Sequence, residues 1–420
     1  MTRSFSTDIV IIGGGIAGLW LLNRLRQQGF DAIVLEKSAL GSGQTIASQG
    51  IIHGGLKYAL SGVLSPASSA IAAMPEHWRR CLRGEGDVDL RGCRVLAPHY
   101  FMWSGGGYRS RLKTFLGSKS LRGRIDTLSA AKYPPFFQHS DISGALYQLS
   151  DFVLDTPSLI ELLSSPHRDR IFKIEADSLR ASVTDSGKIK SIELQSRSGA
   201  VSIHAQRYVL CAGEGNGALL EMLGIASPCM QTRPLHMVVV RTNHPQPVYV
   251  HCIGDDFGMT PRLTITSHPD GSREGGWIWY VGGELAESGV GRSSEEQQAE
   301  GRKQLSESFP WVDFSSAQWS SFQINRAEPR LPNLQRPDTA YVNSQQNLLI
   351  TWPTKLALTP NLSDTVCKEL AHQQITPQSS GSGEPATVLT ECFDFPGIAR
   401  PRWDAIFNAD AAQPHTDSQS

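Results

Sequence analysis

Six residues near the amino terminus, Gly13-Gly14-Gly15-Ile16-Ala17-Gly18, leave few folds open to this chain. They follow Asp8-Ile9-Val10-Ile11-Ile12, a β-branched run of the kind buried on both faces of a parallel sheet. Leu19, Leu22 and Leu25 then recur at helical spacing, the helix stops near Gly29, and Ala32-Ile33-Val34-Leu35 forms a second strand ending in Glu36. Strand, glycine turn, helix, strand and acid in this register are the parts of a dinucleotide-binding unit. Gly13 permits the tight turn, Gly15 lets a pyrophosphate approach the backbone, and Gly18 lets the helix pack close to the strand. Ile16 and Ala17 sit at the helix N-terminus, where unpaired N–H groups and the helix dipole favour that pyrophosphate. Glu36 lies 23 residues after Gly13, with Lys37 beside it. Its carboxylate can accept hydrogen bonds from ribose hydroxyls and repels a 2′-phosphate.

Composition narrows the class further. The chain has 420 residues, 39 Lys+Arg against 40 Asp+Glu, and a net charge of -1. That balance argues against a nucleic-acid partner or a polybasic membrane anchor. The seven cysteines form no CxxC and no zinc-ribbon spacing, so reduced thiols, no metal and a cytoplasmic location are expected. Ile9–Leu22 imitates a signal peptide, but Asp8 at its entrance and the glycines within it argue against that. The only strongly basic stretch, Arg109 to Arg124, reads as a solvated helix and loop.

Glycine turns do not distinguish NAD from FAD; the next segment does. Gly41-Ser42-Gly43-Gln44-Thr45-Ile46-Ala47-Ser48-Gln49-Gly50 is rich in small and hydroxyl residues and leads into Ile51-Ile52-His53-Gly54-Gly55-Leu56-Lys57-Tyr58. It reads as a close-fitting loop along a longer cofactor, where an NAD dehydrogenase proceeds to a third strand. This region resembles the FAD-binding segment of the D-amino-acid oxidase-like flavoprotein superfamily. The His53–Tyr58 run is most similar to the His-Gly-Gly-Leu-Arg-Tyr of FAD-dependent glycerol-3-phosphate dehydrogenases, and less so to 2-hydroxyglutarate oxidases. The resemblance implies an α/β fold: a Rossmann-type FAD-binding domain of the GR2-like kind with an inserted mixed β-sheet substrate domain. It implies bound FAD, with Gly43, Gln44, Thr45, Ser48, Gln49, Gly50 and Ile52 along it. It also implies hydride transfer to flavin N5 from a C–OH or C–N carbon of a small anionic substrate, a hydroxy acid or polyol phosphate. Oxygen or a quinone would be the acceptor.

Further along, Arg207 to Gly213 forms a strand after an antiparallel meander over residues 171–203. Gly213-Glu214-Gly215-Asn216-Gly217-Ala218 imitates a second nucleotide turn, but no strand ending in an acid follows. In the resembled superfamily, the strand here returns to the FAD domain, so Ala212 and Gly213 are expected near the same pyrophosphate. The expected division is FAD domain at 1–80, 145–225 and 331–375, and substrate domain or cap at 81–144 and 226–330. An extended C-terminal segment and disordered tail follow at 376–420.

Six side chains are candidates for chemistry. His53 can act as a base near neutrality. Lys57 stands where the resembled pattern has an arginine that helps bind phosphate, keeping the charge without the bidentate fork. Tyr58 can orient a substrate oxygen. His236, in Pro234-Leu235-His236-Met237-Val238-Val239-Val240, resembles a Gly-Ser-His-Ile-Val-Val run; its alternative is a satisfied core histidine. Arg326, in Ile324-Asn325-Arg326-Ala327-Glu328-Pro329, matches an arginine that pairs the substrate anion; its alternative is an internal ion pair. Lys355 and Leu356, in Trp352-Pro353-Thr354-Lys355-Leu356, resemble a Gly-Gly-Lys-Leu-Thr segment that contacts flavin and substrate. Two other functions stay open: an amine or amino-acid oxidase of the same superfamily, and a flavin-binding module without turnover.

Overall fold

The computed structural model describes residues 2–55, 66–105, 125–139, 142–253, 261–332, 337, 339–378 and 384–408. Lys57, Tyr58, the basic stretch Arg109–Arg124, residues 379–383 and residues 409–420 lie outside them.

The amino-terminal unit is β1 (Arg3–Ile12), α1 (Ile16–Gln27) and β2 (Ala32–Glu36). β1 pairs in parallel with β2 on one side and with the strand Gly199–Leu210 on the other. Side chains alternate across a strand. Ile9 and Ile11 therefore enter one buried cluster with α1, while Val10 and Ile12 enter another on the opposite face. This two-sided burial explains the unbroken apolar run. The strand Leu348–Trp352 pairs in parallel with the C-terminal half of Gly199–Leu210 and so rejoins the sheet.

A second sheet runs in the order Gln318–Pro329, Met230–Thr242, Trp277–Gly282, Leu263–Pro269, Val250–Cys252, Tyr100–Gly105, Gly144–Leu149 and Ile125–Thr127. It is mixed, since Val250–Cys252 and Tyr100–Gly105 pair in parallel and their neighbours antiparallel. Its far face packs an aromatic core, including Trp103, Phe136, Trp279 and Phe309, under the helix Ser294–Ser308. That helix is started by a capping box between Ser293 and Glu296.

Two boundaries differ from the sequence expectation. The strand Gly144–Leu149 pairs along its length with Tyr100–Gly105, so the inserted sheet extends to residue 149 rather than 144. The segment after residue 375 also does more than trail. The helix Glu384–Cys392 buries Leu389 and Cys392 beneath the first sheet. Ile398 bridges to Leu40, and the helix Arg402–Asn408 packs Trp403 and Phe407 against the second sheet. The anchors fall at helical spacing, Leu389 with Cys392 and Trp403 with Phe407, in helices of only nine and seven residues, too short for a clear period. Among the described residues, no helix is long and apolar enough to cross a membrane.

Candidate active site

The glycine turn is shaped by what surrounds it. Gly13 has φ +114, and a Cβ there would lie 2.6 Å from the Cys211 carbonyl carbon. A Cβ on Gly18 would lie 2.0 Å from the Gly13 carbonyl oxygen, so α1 closes onto β1 only without one. Gly18 itself is a packing residue outside the cleft described next. Glu36 is buried; its Oε2 accepts the Gly14 N–H at 2.6 Å and its Oε1 the Ser38 N–H at 2.7 Å. Thr45 Oγ1 accepts the Ile16 N–H at 3.1 Å, which binds the following loop to a helix start that Gly15 leaves without a side-chain cap.

Between the two sheets lies a cleft of about 1220 Å³. That exceeds a pocket for one small ligand, roughly 300–1,000 Å³. Gly13, Gly15, Ile16, Ala17, Glu36 and Lys37 line it from the first unit, and Gly43, Gln44, Thr45, Ser48, Gln49 and Gly50 from the loop. Ala212, Gly213, Lys355 and Leu356 line it from the two returning strands, together with His53 and Arg326. The Ala212-Gly213 turn is fixed by neighbours: Ala212 N–H donates to Asn216 Oδ1 at 3.0 Å, and Trp352 Nε1–H to the Gly213 carbonyl at 3.1 Å.

Of the expected residues, Gln49 lines the cleft and also ties it to the second sheet, while Ile52 and His236 face away from it. The Gln49 amide donates to the carbonyls of Thr264 (2.9 Å) and Tyr280 (2.8 Å), stitching the loop to the second sheet. Ile52 is fully buried in the first core, because it is Ile51 and His53 that point to the cleft in this alternating stretch. His236 is buried with Nδ1 3.0 Å from the Gly289 carbonyl and Nε2 3.0 Å from Ser321 Oγ. Its strand neighbours Leu235 and Met237 line the cleft, so His236 faces the opposite side as a satisfied core histidine.

At the substrate end, His53 Nδ1 lies 3.4 Å from Asp151 Oδ2. Asp151 Oδ1 accepts the Gly54 N–H at 2.8 Å. The His251 ring lies 6.1 Å from the His53 ring at an interplanar angle of 11°. Burial pushes His251 down to about 3, which keeps it neutral near pH 7. The ligand-type atoms of His53, Asp151 and His251 lie within 4.8 Å of one another, as do those of His77, Cys81 and Asp87. The second group is an ion-pair cluster, since Asp87 also accepts from Arg24. Arg326 is 27% exposed; its Nη2 is 3.5 Å from Glu287 Oε1, and its buried Nε has no hydrogen-bond partner among the described residues. Asp151, His251, Glu287 and Arg402 line the cleft without any sequence signal, because each reaches it through tertiary contacts alone.

Thr354 has φ +61, in the left-handed region that disfavours β-branched residues. It stands at a glycine of the resembled pattern. Thr354→Gly is expected to raise unfolding stability by about 1 kcal/mol, as relief of strain exceeds the added entropy of the unfolded chain. Chemical denaturation checks this. A fall in stability would show that the Thr354 Oγ1 bond to the Thr339 carbonyl at 3.2 Å outweighs the strain.

The profile of the FAD dependent oxidoreductase family matches residues 8–348. The chain belongs to this family. It is therefore an FAD-dependent oxidoreductase. A probable FAD-dependent oxidoreductase of Pseudomonas aeruginosa is 42% identical over 413 residues, covering 97% of this chain and 100% of that protein. The crystal structure of an FAD-dependent oxidoreductase from Pseudomonas aeruginosa has a TM-score of 0.82 at 38% identity, covering 97% of this chain and 100% of that one. Iminodiacetate oxidase from Chelativorans sp. BNC1 shares the fold, with a TM-score of 0.60 at 14% identity over 88% of this chain and 99% of that one. So does L-alpha-glycerophosphate oxidase from Mycoplasma pneumoniae with FAD bound, at 0.60 and 12% over 89% and 97%. The cleft of this family member suits its cofactor. Two buried polar atoms on its lining, Gln44 Nε2 and Ser48 Oγ, lack hydrogen-bond partners among the described residues. Such atoms are costly unless a ligand satisfies them.

Proposed function

We propose that this oxidoreductase acts on a small anionic substrate, a hydroxy acid or polyol phosphate, at a carbon bearing a hydroxyl group. FAD supplies the hydride acceptor. In this reading the first turn of α1, Glu36, Gln44 and Ser48 hold FAD, and Lys355 and Leu356 border it. Arg326 binds the anionic handle and His53 receives the hydroxyl proton; oxygen or a quinone then takes the electrons.

The observation that carries the proposal is Arg326. Arg326 lines the cleft, its Nε has no acceptor among the described residues, and the contact to Glu287 is long at 3.5 Å. A planar fork with unspent donors suits a carboxylate or phosphate. Oxidation at a C–N carbon of a similar anion is a second reading. It is favoured by Glu287, a cleft carboxylate beside Arg326 that would attract a substrate ammonium.

An anaerobic screen of the purified flavoprotein tests both. Hydroxy acids and polyol phosphates are expected to bleach the flavin absorbance, and uncharged polyols are not. Bleaching by uncharged polyols at equal concentration would remove the anion requirement. Bleaching by amino acids alone would select the second reading.

A further inference from the structure

We infer that Asp151 is the positioning residue that sets the tautomer of His53, with the His251 ring nearly parallel to it 6.1 Å away. Asp151 sits in the turn between the strands Gly144–Leu149 and Phe152–Leu154, far from His53 in sequence. Its side chain is 5% exposed, whereas that of His53 is 36% exposed and lines the cleft. One carboxylate faces two points: Oδ1 accepts the Gly54 N–H at 2.8 Å, and Oδ2 approaches His53 Nδ1 to 3.4 Å. A carboxylate oxygen beside Nδ1 favours the tautomer with its hydrogen on that nitrogen, which leaves the Nε2 lone pair available.

His251 is fixed in its own right. Its Nδ1 is 2.9 Å from Thr264 Oγ1, and the Tyr100 ring packs against it at 4.6 Å. Nearly parallel to His53 and held neutral by burial, it places no positive charge beside that ring.

The inference rests on the proposed function for its chemical purpose. His53 Nε2 would take the substrate O–H proton as the carbinol carbon becomes a C=O, and the FAD held by the cleft would supply the hydride acceptor. One proton and one hydride leave the alcohol, so atoms and electrons balance.

The test is 15N NMR of the holoenzyme labelled at histidine, with His53→Gln used to assign the signal. Wild type is expected to show His53 as the Nδ1–H tautomer without substrate. Asp151→Asn keeps an oxygen for the Gly54 N–H but adds a donor, and is expected to shift the signal toward the Nε2–H form. With any substrate that bleaches the flavin, kcat is expected to fall about 100-fold with KM changed less than about threefold. Asp151→Glu, which returns a carboxylate, is expected to restore part of both. An unchanged tautomer in Asp151→Asn overturns the inference, whatever happens to kcat. So does stoichiometric uptake of Zn2+ that displaces both the His53 and His251 signals, which would make the cluster a metal centre. The tautomer is read without substrate, so failure of the substrate assignment leaves this test intact.

Discussion

Gly18→Ala is expected to purify without flavin. A Cβ at residue 18 would lie 2.0 Å from the Gly13 carbonyl oxygen and 3.2 Å from Ile11 Cγ2. Neither obstacle is the free end of a flexible chain: one is backbone and the other is a buried β-branched side chain. α1 must therefore lift from β1, and the helix N-terminus leaves its place beside Thr45, whose Oγ1 accepts the Ile16 N–H. Overpacking of this kind costs about 3 kcal/mol. Cofactor loss follows because the pyrophosphate site is the geometry of that helix start. Flavin absorbance per mole of purified protein measures the first effect and denaturation the second. Gly271→Ala is the matched control, since a Cβ there meets nothing within 4 Å. A Gly18→Ala protein that retained wild-type flavin content would sink the assignment of this turn as the cofactor's seat.

The second large effect is expected at Arg326. Removing one partner of a bidentate, charge-assisted pair costs about 3 kcal/mol, which is roughly 100-fold. Arg326→Ala should raise the KM of an anionic substrate by about that factor while flavin content stays at the wild-type level. Arg326→Lys should recover only part of the loss, because lysine restores charge without the planar fork. The register explains why the residue is available. Arg233 lies directly opposite Arg326 on the neighbouring strand, but Glu328 takes up Arg233 in an ion pair. Arg326 instead has the long contact to Glu287 on a different element. Parallel loss of flavin and substrate affinity in Arg326→Ala would make Arg326 a structural residue.

Local chemistry made much of the cofactor region legible. Gly13, Gly15, Gly18 and Glu36 are spaced by the geometry of one turn and one helix, and that spacing survives in any chain that makes the turn. His236 shows where local reading stops. The motif around it matched, yet a single residue of strand phase decides whether a side chain meets the cleft or the core, and Leu235 and Met237 take the cleft. The second task of Gln49 was not legible there either, because its amide partners are carbonyls of Thr264 and Tyr280, more than two hundred residues away.

By itself, then, the sequence determined the βαβ seat, because that depends on short-range periods and turn geometry, and it carried the FAD class of cofactor through the family resemblance of the segment from Gly41 to Tyr58. Only the tertiary structure decided that Asp151 and His251 stand beside His53, that Glu287 faces Arg326, and that Arg402 reaches the cleft from the C-terminal helix. Each of those contacts joins elements whose separation along the chain carries no periodic signal. Tertiary packing of strands, helices and turns brings them together.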